Sequence, residues 1–284
     1  MNTTLLTSLL VAVALVALVL IYGNFRWRSA TTKLHATLDA ARLPLVTKTF
    51  SEQELVGLPP PVQRYLRTAL GNQTRVVAAV NLEQTGTFNQ SETTPAWKPF
   101  TASQHVVTQR PGYFWDARIT MWPAVIVRVR DAYVAGEGIL QAAICGLIPV
   151  ASLRDHGELA KGELMRYLAE AAWYPTALLP GQGVRWEAVD NLSARATLVD
   201  GELAVSLLIH FGDDHLIASI RAEARGRIDG GKISFMPWEG RFWNYVERNG
   251  MRVPLEGEVA WIHPEGPKPY WRGRITEIEY EFSR

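Results

Sequence analysis

The segment that decides the fold is GELMRYLAEAAWYPTALLP, at residues 162–180. At 100° per residue, its side chains divide between two sides of a helix. The apolar side comprises Met165, Leu168, Ala169 and Ala172. The polar side comprises Glu163, Arg166, Tyr167, Glu170 and Tyr174. The pattern therefore predicts an amphipathic helix that lays one side against the rest of the protein.

The ends of this helix are also marked in the sequence. Asp155 can cap its start, with Glu158 three residues later as the reciprocal partner of a capping box. Pro175 ends it, because the residue before a proline is disfavoured in the helical region. We predict an inserted helix near residues 155–174.

Most of the chain on both sides of this helix has the pattern of short strands. About a dozen segments are rich in β-branched and aromatic residues. They are 76–88, 100–109, 113–121, 125–134, 139–147, 184–189, 194–199, 203–211, 216–224, 235–245, 253–262 and 270–282. The separators are short, and Asp200-Gly201 and Asn249-Gly250 are typical of hairpin turns. Such links are too short for parallel crossovers, so they predict an antiparallel sheet.

A sheet of this size cannot stay flat, because the twist between its strands accumulates. We therefore predict an α+β fold, mainly β, with a large curved antiparallel sheet or half-open barrel covered by one or two amphipathic helices. The second helix is predicted in LPPPVQRYLRTAL, at residues 58–70. Its apolar stripe comprises Val62, Tyr65, Leu66 and Ala69.

The N-terminal region has the composition of a membrane anchor. Residues 5–22 carry no charge and, at ~1.5 Å per residue, match the hydrocarbon thickness of a bilayer. A cleaved signal peptide is disfavoured, since no Lys or Arg precedes the run and small residues are missing from the expected cleavage site. We predict an anchor at 1–24, a stalk or linker at 25–57 and a single β-rich domain at 58–284. Tyr22, Phe25 and Trp27 would form an aromatic belt at the interface.

Composition excludes several classes of function. The net charge is +1, and no basic stripe with interleaved aromatic residues is present, so we expect no nucleic-acid partner. The single cysteine, Cys145, excludes an internal disulfide and a cysteine-based zinc site. His210 and His215 flank a Gly-Asp-Asp turn and could share a metal, but ordinary hairpin chemistry explains the turn better. We expect no metal and no cofactor.

Candidate binding residues lie on the polar side of the inserted helix and among the ten tryptophans. If that side of the helix is solvated, its charges form a routine surface network. If it faces the concave side of the sheet, they can hold the polar end of a ligand. In a strand, neighbouring acidic and aromatic residues point to opposite faces, so one of each pair is inside. The predicted ligand-binding residues are Glu163, Arg166, Tyr167, Glu170, Trp173, Trp115, Trp238 and Tyr133.

Four stretches carry a resemblance to a known family. They are LPPPVQRYLRTAL (58–70), RDAYVAGEG (130–138), GELMRYLAEAAWYPTALLP (162–180) and PWEGRFWNYVERNGMRVPLEGEVAW (237–261). Together they resemble an uncharacterised bacterial family of membrane-anchored proteins, known as a domain of unknown function. The family implies no activity and no functional residue. At the level of the fold alone, the chain is similar to the half-open barrels of the LolA/LolB lipoprotein carriers, a likeness that implies an apolar cavity.

The membrane side of the domain stays open. Arg26, Arg28, Lys33 and Arg42 follow the span, so the positive-inside rule places the domain in the cytoplasm. The LolA/LolB likeness implies the periplasm instead.

The sequence is compatible with three functions. The first is a membrane-anchored, non-enzymatic protein that binds a lipid or another apolar ligand in the concave sheet. The second is an enzyme that uses Glu163 or Glu170 as acid or base. The third is a membrane-tethered scaffold with a protein partner that the sequence leaves unidentified. No catalytic motif selects the second, since nucleophile-elbow, P-loop, zincin and dinucleotide fingerprints are all missing.

Overall fold

A computed structural model describes residues 3–44, 49–123, 125–229 and 232–283. The helices are α1 (Thr3–Ala40), α2 (Pro60–Leu70) and α3 (Glu158–Glu170). The strands are β1 (Val77–Asn89), β2 (Trp97–Val107), β3 (Gly112–Trp122), β4 (Val125–Val134), β5 (Glu137–Ile144), β6 (Ile148–Asp155), β7 (Arg185–Ala188), β8 (Ser193–Asp200), β9 (Leu203–Phe211), β10 (Ile217–Asp229), β11 (Lys232–Arg248), β12 (Met251–His263) and β13 (Gly266–Phe282). Short 3-10 turns lie at Glu52–Leu55, Ala171–Trp173, Pro175–Leu178 and Pro180–Gln182.

The strands form one antiparallel sheet in the order β6-β5-β4-β3-β2-β1-β13-β12-β11-β10-β9-β8-β7. The first and last strands pair at its centre, and β6 and β7 are its two edges. The edges do not pair with each other in the described part of the chain, so the sheet curls without closing. The predicted class, a mainly β fold with a curved antiparallel sheet and covering helices, is confirmed. Helix α3 connects the two edges in sequence and fills the concave side.

One strand was not predicted. The segment predicted at 139–147 divides into β5 and a turn, and β6 follows at Ile148 as an edge strand. Cys145 and Gly146 form the turn with φ values of 49° and 71°. Cys-Gly lacks the Asn-Gly or Asp-Gly signature that favours positive φ, so the sequence pattern hides the hairpin. Pro149 is tolerated because β6 is an edge.

The covering helices lie where the apolar core is largest. In α2 the predicted stripe is buried, with Val62, Tyr65, Leu66 and Ala69 all in the main core. Helix α3 begins against β5, where a Cβ on Gly138 would lie 2.5 Å from the backbone nitrogen of Ala160. Glycine is required at this close approach.

The start of α3 is held by Asp155, as predicted, but through a different set of bonds. Its carboxylate accepts from the backbone N–H groups of Gly157, Leu159 and Ala160. Glu158 does not complete a capping box and pairs with Lys161 instead, at 2.7 Å. The α-helix ends at Glu170 and tightens into a 3-10 turn before Pro175.

Helix α1 has an exposed half and a docked half. Residues 5–22 are exposed and apolar, whereas Trp27, Leu34 and Leu38 are buried against the convex face of the sheet. The Trp27 indole N–H donates to Asp116 at 2.9 Å, so Trp27 does not take part in the predicted aromatic belt. Tyr22 and Phe25 remain exposed.

Arg130 completes this contact between α1 and the sheet. Its guanidinium donates to the carbonyl of Trp27 at 3.0 Å and lies 4.3 Å from the centre of the Trp27 ring. In β3 the ring of Trp115 points to the concave side and the carboxylate of Asp116 to the convex side, as alternation in a strand requires.

Candidate functional site

A cavity of about 750 Å³ lies on the concave side of the sheet, beside the first turn of α3. Its volume is in the range of ~300–1,000 Å³ that is usual for small-molecule sites. Aromatic side chains form much of its wall, namely Phe88, Trp97, Trp261 and Tyr270. Charged residues of both signs surround them, namely Glu92, Glu158, Glu163, Arg225, Arg227, Lys268 and Arg272.

A smaller pocket of about 120 Å³ lies deeper, under the second half of α3. Trp115, Trp173 and Trp238 line it together with the charged residues Asp131, Arg166 and Glu170. The cavity and the pocket share Phe88, Arg225 and Tyr270 as lining residues. The pocket is therefore the inner end of one site, with an aromatic outer part and a charged inner part.

The aromatic wall is held in place by ring contacts and one hydrogen bond. The rings of Trp261 and Tyr270 stack with centroids 6.0 Å apart, and Phe88 meets Tyr270 edge to face at 5.7 Å. The Trp238 indole N–H donates to the Tyr270 hydroxyl at 2.9 Å. Both polar tips are thereby satisfied, and the ring faces remain available to an apolar ligand.

Arg166 is the centre of the charged inner end. It donates to Glu170 at 2.7 Å and to Asp131 at 2.8 Å, and its guanidinium lies 5.0 Å from the centre of the Trp115 ring. These side chains are at most 18% exposed. The interpretation of this side of α3 as a solvated surface network is therefore wrong, and the polar side faces the concave sheet.

A chain of buried amides connects this ion pair to the sheet. The Trp115 indole N–H donates to Gln84 at 2.8 Å, Gln84 donates to Gln104 at 2.9 Å, and Gln104 donates to Glu170 at 2.5 Å. Each amide donates and accepts once within the chain, so the two buried amides are satisfied. Glu170 is fixed by both Arg166 and Gln104, which suits it to positioning rather than to proton transfer.

Glu163 differs from Glu170 because, among the described residues, no cation forms a hydrogen bond or ion pair with it. It is 6% exposed, lines the outer cavity and accepts a hydrogen bond from the Tyr113 hydroxyl. Burial, reinforced by the nearby Asp131 carboxylate, raises the pKa of Glu163 to about 7. This carboxyl therefore exchanges its proton near neutral pH.

Six of the eight predicted residues line this site, and two do not. Glu163 lines the cavity, and Trp115, Arg166, Glu170, Trp173 and Trp238 line the inner pocket. Tyr167 packs against Tyr174 in the core, with ring centroids 5.6 Å apart. The Tyr133 hydroxyl donates to Asp200 at 2.8 Å, away from the cavity lining. The structure adds Asp131, Arg225 and Tyr270, which the prediction left out.

The histidines lie elsewhere. His210 contacts Ser193 at 3.1 Å, and His215 occupies the turn with a φ of 64°. Within the described residues, one group of three side chains could share a metal ion: His35, Asp39 and His105. This group lies between α1 and β2. Arg42 forms an ion pair with Asp39 at 2.8 Å, so the positive charge beside Asp39 comes from an arginine rather than from a metal ion.

Comparison with known proteins gives one family match. The model of DUF6920, a family of unknown function, matches residues 56–280, most of the chain. None of the curated proteins matches the sequence.

Two solved structures have similar folds at low identity. A LolA superfamily protein from Nitrosomonas europaea is 9% identical, with a TM-score of 0.33, and the match covers 78% of this chain and 92% of the other. A beta-barrel-like protein of the domain of unknown function DUF1849 from Brucella abortus is 9% identical, with a TM-score of 0.26, and the match covers 72% and 99%.

Proposed function

We propose that this chain, which belongs to the DUF6920 family, is a membrane-anchored binding protein that holds a lipid or another apolar molecule in the cavity beside α3. The cavity of about 750 Å³ carries the proposal. Its aromatic wall offers ring faces to an apolar chain, and burying such a chain is worth roughly 25 cal/mol per Å².

The membrane anchor is the exposed half of α1. This helix has a mean hydropathy of 2.8 over an 18-residue window with none of that window buried, so it is long and apolar enough to cross a bilayer. The apolar side chains have no protein partner in the described part of the chain, and a bilayer would cover them.

A cavity-filling variant tests ligand binding. Gly162 lies on α3 and lines the cavity, and a Cβ added there would make ordinary contacts, 3.5 Å from Arg225. Gly162→Leu should therefore fold and occupy the binding space. The matched control is Lys161→Leu, on the neighbouring position with a side chain 41% exposed.

The measurement is binding of the fluorescent methyl ester of cis-parinaric acid to the full chain in nanodiscs, by energy transfer from tryptophan. We expect wild type and Lys161→Leu to bind the ester, and Gly162→Leu to bind at least about tenfold more weakly. Absence of binding to wild type, or equal binding by Gly162→Leu, would refute the proposal.

The position and the raised pKa of Glu163 favour a second function, in which the chain is an enzyme that acts on the bound molecule. A carboxyl with a pKa of about 7 in a cavity is suited to general acid–base catalysis. Mass spectrometry of molecules extracted from wild type and from Glu163→Gln separates the two functions. An enzyme yields converted product from wild type alone, whereas a binding protein yields the same unchanged molecule from both.

A further inference from the structure

Arg225 is the arginine that the outer cavity and the inner pocket share. It lies on β10, is 9% exposed, and lines both the outer cavity and the inner pocket. Its guanidinium lies 4.7 Å from the centre of the Trp238 ring. Among the described residues, none accepts a hydrogen bond from it or forms an ion pair with it. A guanidinium has five N–H donors, and those of Arg225 lie where the outer cavity meets the inner pocket.

The nearby acidic residues do not supply the missing acceptor. Glu163 accepts from Tyr113, and Asp131 accepts from Arg166. The charge of Arg225 acts on both carboxyls, but neither accepts a hydrogen bond from it, and Asp131 Oδ1 is buried with no partner among the described residues. Trp173 adds another donor to the inner pocket, since its indole nitrogen is buried with no acceptor in the described residues. Two donors, Arg225 and Trp173, are therefore available to an acceptor group entering the inner pocket.

We propose that Arg225 binds the anionic end of the ligand, a carboxylate or a phosphate at the end of an apolar chain. The oxyanion lies between the outer cavity and the inner pocket, where Arg225 can donate to it in a bidentate manner. The apolar chain lies along Phe88, Trp261 and Tyr270 in the outer cavity. This inference rests on the proposed function and adds the chemical class of the ligand.

The test compares cis-parinaric acid with its methyl ester, which has the same chain without the charge. A charge-assisted hydrogen bond is worth about 1.5–3 kcal/mol, so wild type should bind the acid about 10- to 100-fold more tightly. Arg225→Met should remove this preference, and Arg225→Lys, which keeps the charge, should retain part of it. The matched control is Arg67→Met, which should leave the preference unchanged because Arg67 is outside both linings and is paired with Glu52 at 3.1 Å.

The outcomes separate this inference from the proposed function. Equal binding of acid and ester by wild type, or an unchanged preference in folded Arg225→Met and Arg225→Lys, would overturn the role of Arg225 and leave ligand binding intact. Failure of wild type to bind either probe would overturn the proposed function. Competition by inorganic phosphate alone would identify a site for free oxyanions, and its absence supports an amphiphile.

A second inference comes from exposed apolar residues at one end of the sheet. Trp122, Ile148 and Val150 are 67%, 62% and 61% exposed. Strands β1, β3 and β5 run in the same direction, so the turns that follow them lie at the same end. The β1–β2 loop that lines the cavity is also at this end, because it includes residues 90–95.

Helix α1 shows which way this end faces. A Cβ on Gly23 would lie 2.5 Å from Leu147 in the β5–β6 turn, and Leu38 approaches Gly112 at the other end of β3. The 15 residues between Gly23 and Leu38 rise about 22 Å along the convex face. The apolar half of α1 therefore leaves the domain at the end that carries Ile148.

We infer that the end of the sheet that carries Trp122, Ile148 and Val150 enters the interface of the bilayer that α1 crosses. The patch continues the apolar surface of α1, which is the reason to assign it to the bilayer rather than to a protein partner. The ammonium of Lys98 lies 5.2 Å from the centre of the Trp122 ring, and a tryptophan with an adjacent cation suits the headgroup region. The cavity would then open toward the lipid.

Spin-label depth measurements in vesicles test this second inference, which rests on the proposed anchor. With Cys145→Ser as background, labels at Ile148→Cys and Trp122→Cys should be more accessible to oxygen than to a water-soluble nickel reagent. The control is Val56→Cys, 81% exposed and just before α2. A label at Val16→Cys tests the anchor separately. Lipid exposure at Val16 with water exposure at Ile148 and Trp122 would overturn the inference, and water exposure at Val16 would overturn the anchor.

Discussion

Replacing Glu163 by glutamine should stabilise the protein at alkaline pH. Glu163 is 6% exposed, and in the described part of the chain it receives one hydrogen bond, from Tyr113, and no bond from a cation. Burial, together with the negative charge of Asp131, raises its pKa to about 7 from the ordinary value of 4.5. Glutamine imitates the protonated carboxyl in shape and can still accept from Tyr113.

The sign and size follow from proton linkage. Between pH ~4.5 and ~7 the folded state binds more protons at this position than the unfolded state, so the stability it contributes is present at low pH and is lost as the pH rises. A pKa raised from 4.5 to about 7 corresponds to roughly 3 kcal/mol at ~1.36 kcal/mol per pH unit. Glu163→Gln should therefore exceed wild type by less than about 1 kcal/mol at pH 5 and by about 3 kcal/mol at pH 8.

Urea unfolding of the full chain in non-ionic detergent, followed by tryptophan fluorescence at both pH values, measures this difference. The matched control is Glu170→Gln on the same helix. Glu170 bonds to Arg166 and to Gln104, so its replacement should destabilise the protein at pH 8 by about 3 kcal/mol, as expected for a broken buried pair. A Glu163→Gln variant that is less stable than wild type at pH 8 would refute the reasoning.

Three further predictions concern the contacts that hold the helices. Asp116→Ala should lower the free energy of unfolding by about 2 kcal/mol, because the Trp27 indole N–H loses its acceptor. Urea titration will measure this loss of stability, and proteolysis between α1 and the sheet will show whether the helix has detached. Gly138→Ala should lower the melting temperature by overpacking Ala160, at a cost of about 1–3 kcal/mol, whereas an alanine at exposed Gly183 would show only the effect of its positive φ. Burial is the main cause that lowers the pKa of His105, and the neighbouring His35 adds to it. Wild type should therefore lose stability relative to His105→Asn as the pH falls below about 6.5. Plots of unfolding free energy against pH that run parallel for the two proteins would contradict this.

The sequence was most informative where the signal is local. Hairpin separators indicated antiparallel pairing, and the apolar stripe of α2 is buried as its period predicts. The position of α3 was also predictable, with Asp155 at its start and Pro175 beyond its end. The docking of α1 was not, because Asp116 and Arg130 lie far from Trp27 in sequence and nothing in a local pattern connects them.

The polar side of α3 shows a different limit. Amphipathic periodicity assumes that one side of a helix meets water. Helix α3 lies inside a curled sheet, so both sides are enclosed, and its charges are compensated by residues that the period cannot include. Asp131 is 35 positions away from Arg166, and Gln104 is 66 positions away from Glu170. A helix that joins the two edges of a curved sheet has few places to lie other than the concave side. The topology therefore indicates that both sides of α3 are buried, and it does so better than composition does.

Arg225 could not be placed by alternation, and the reason is a break in the register of its strand. Ile220 and Ala222 are buried, and strict alternation would put residue 224 inside and Arg225 in solvent. The pairing of β10 with β11 shifts between Ala222 and Arg225, so residues 223 and 224 are both exposed and Arg225 turns inward. Bulges that re-aim a side chain are common next to binding sites. Inserting one residue after Ala224 should therefore turn Arg225 outward and abolish the preference for parinaric acid over its ester, whereas deleting Ala224, which leaves Arg225 two positions after the buried Ala222, should keep Arg225 inside and retain that preference.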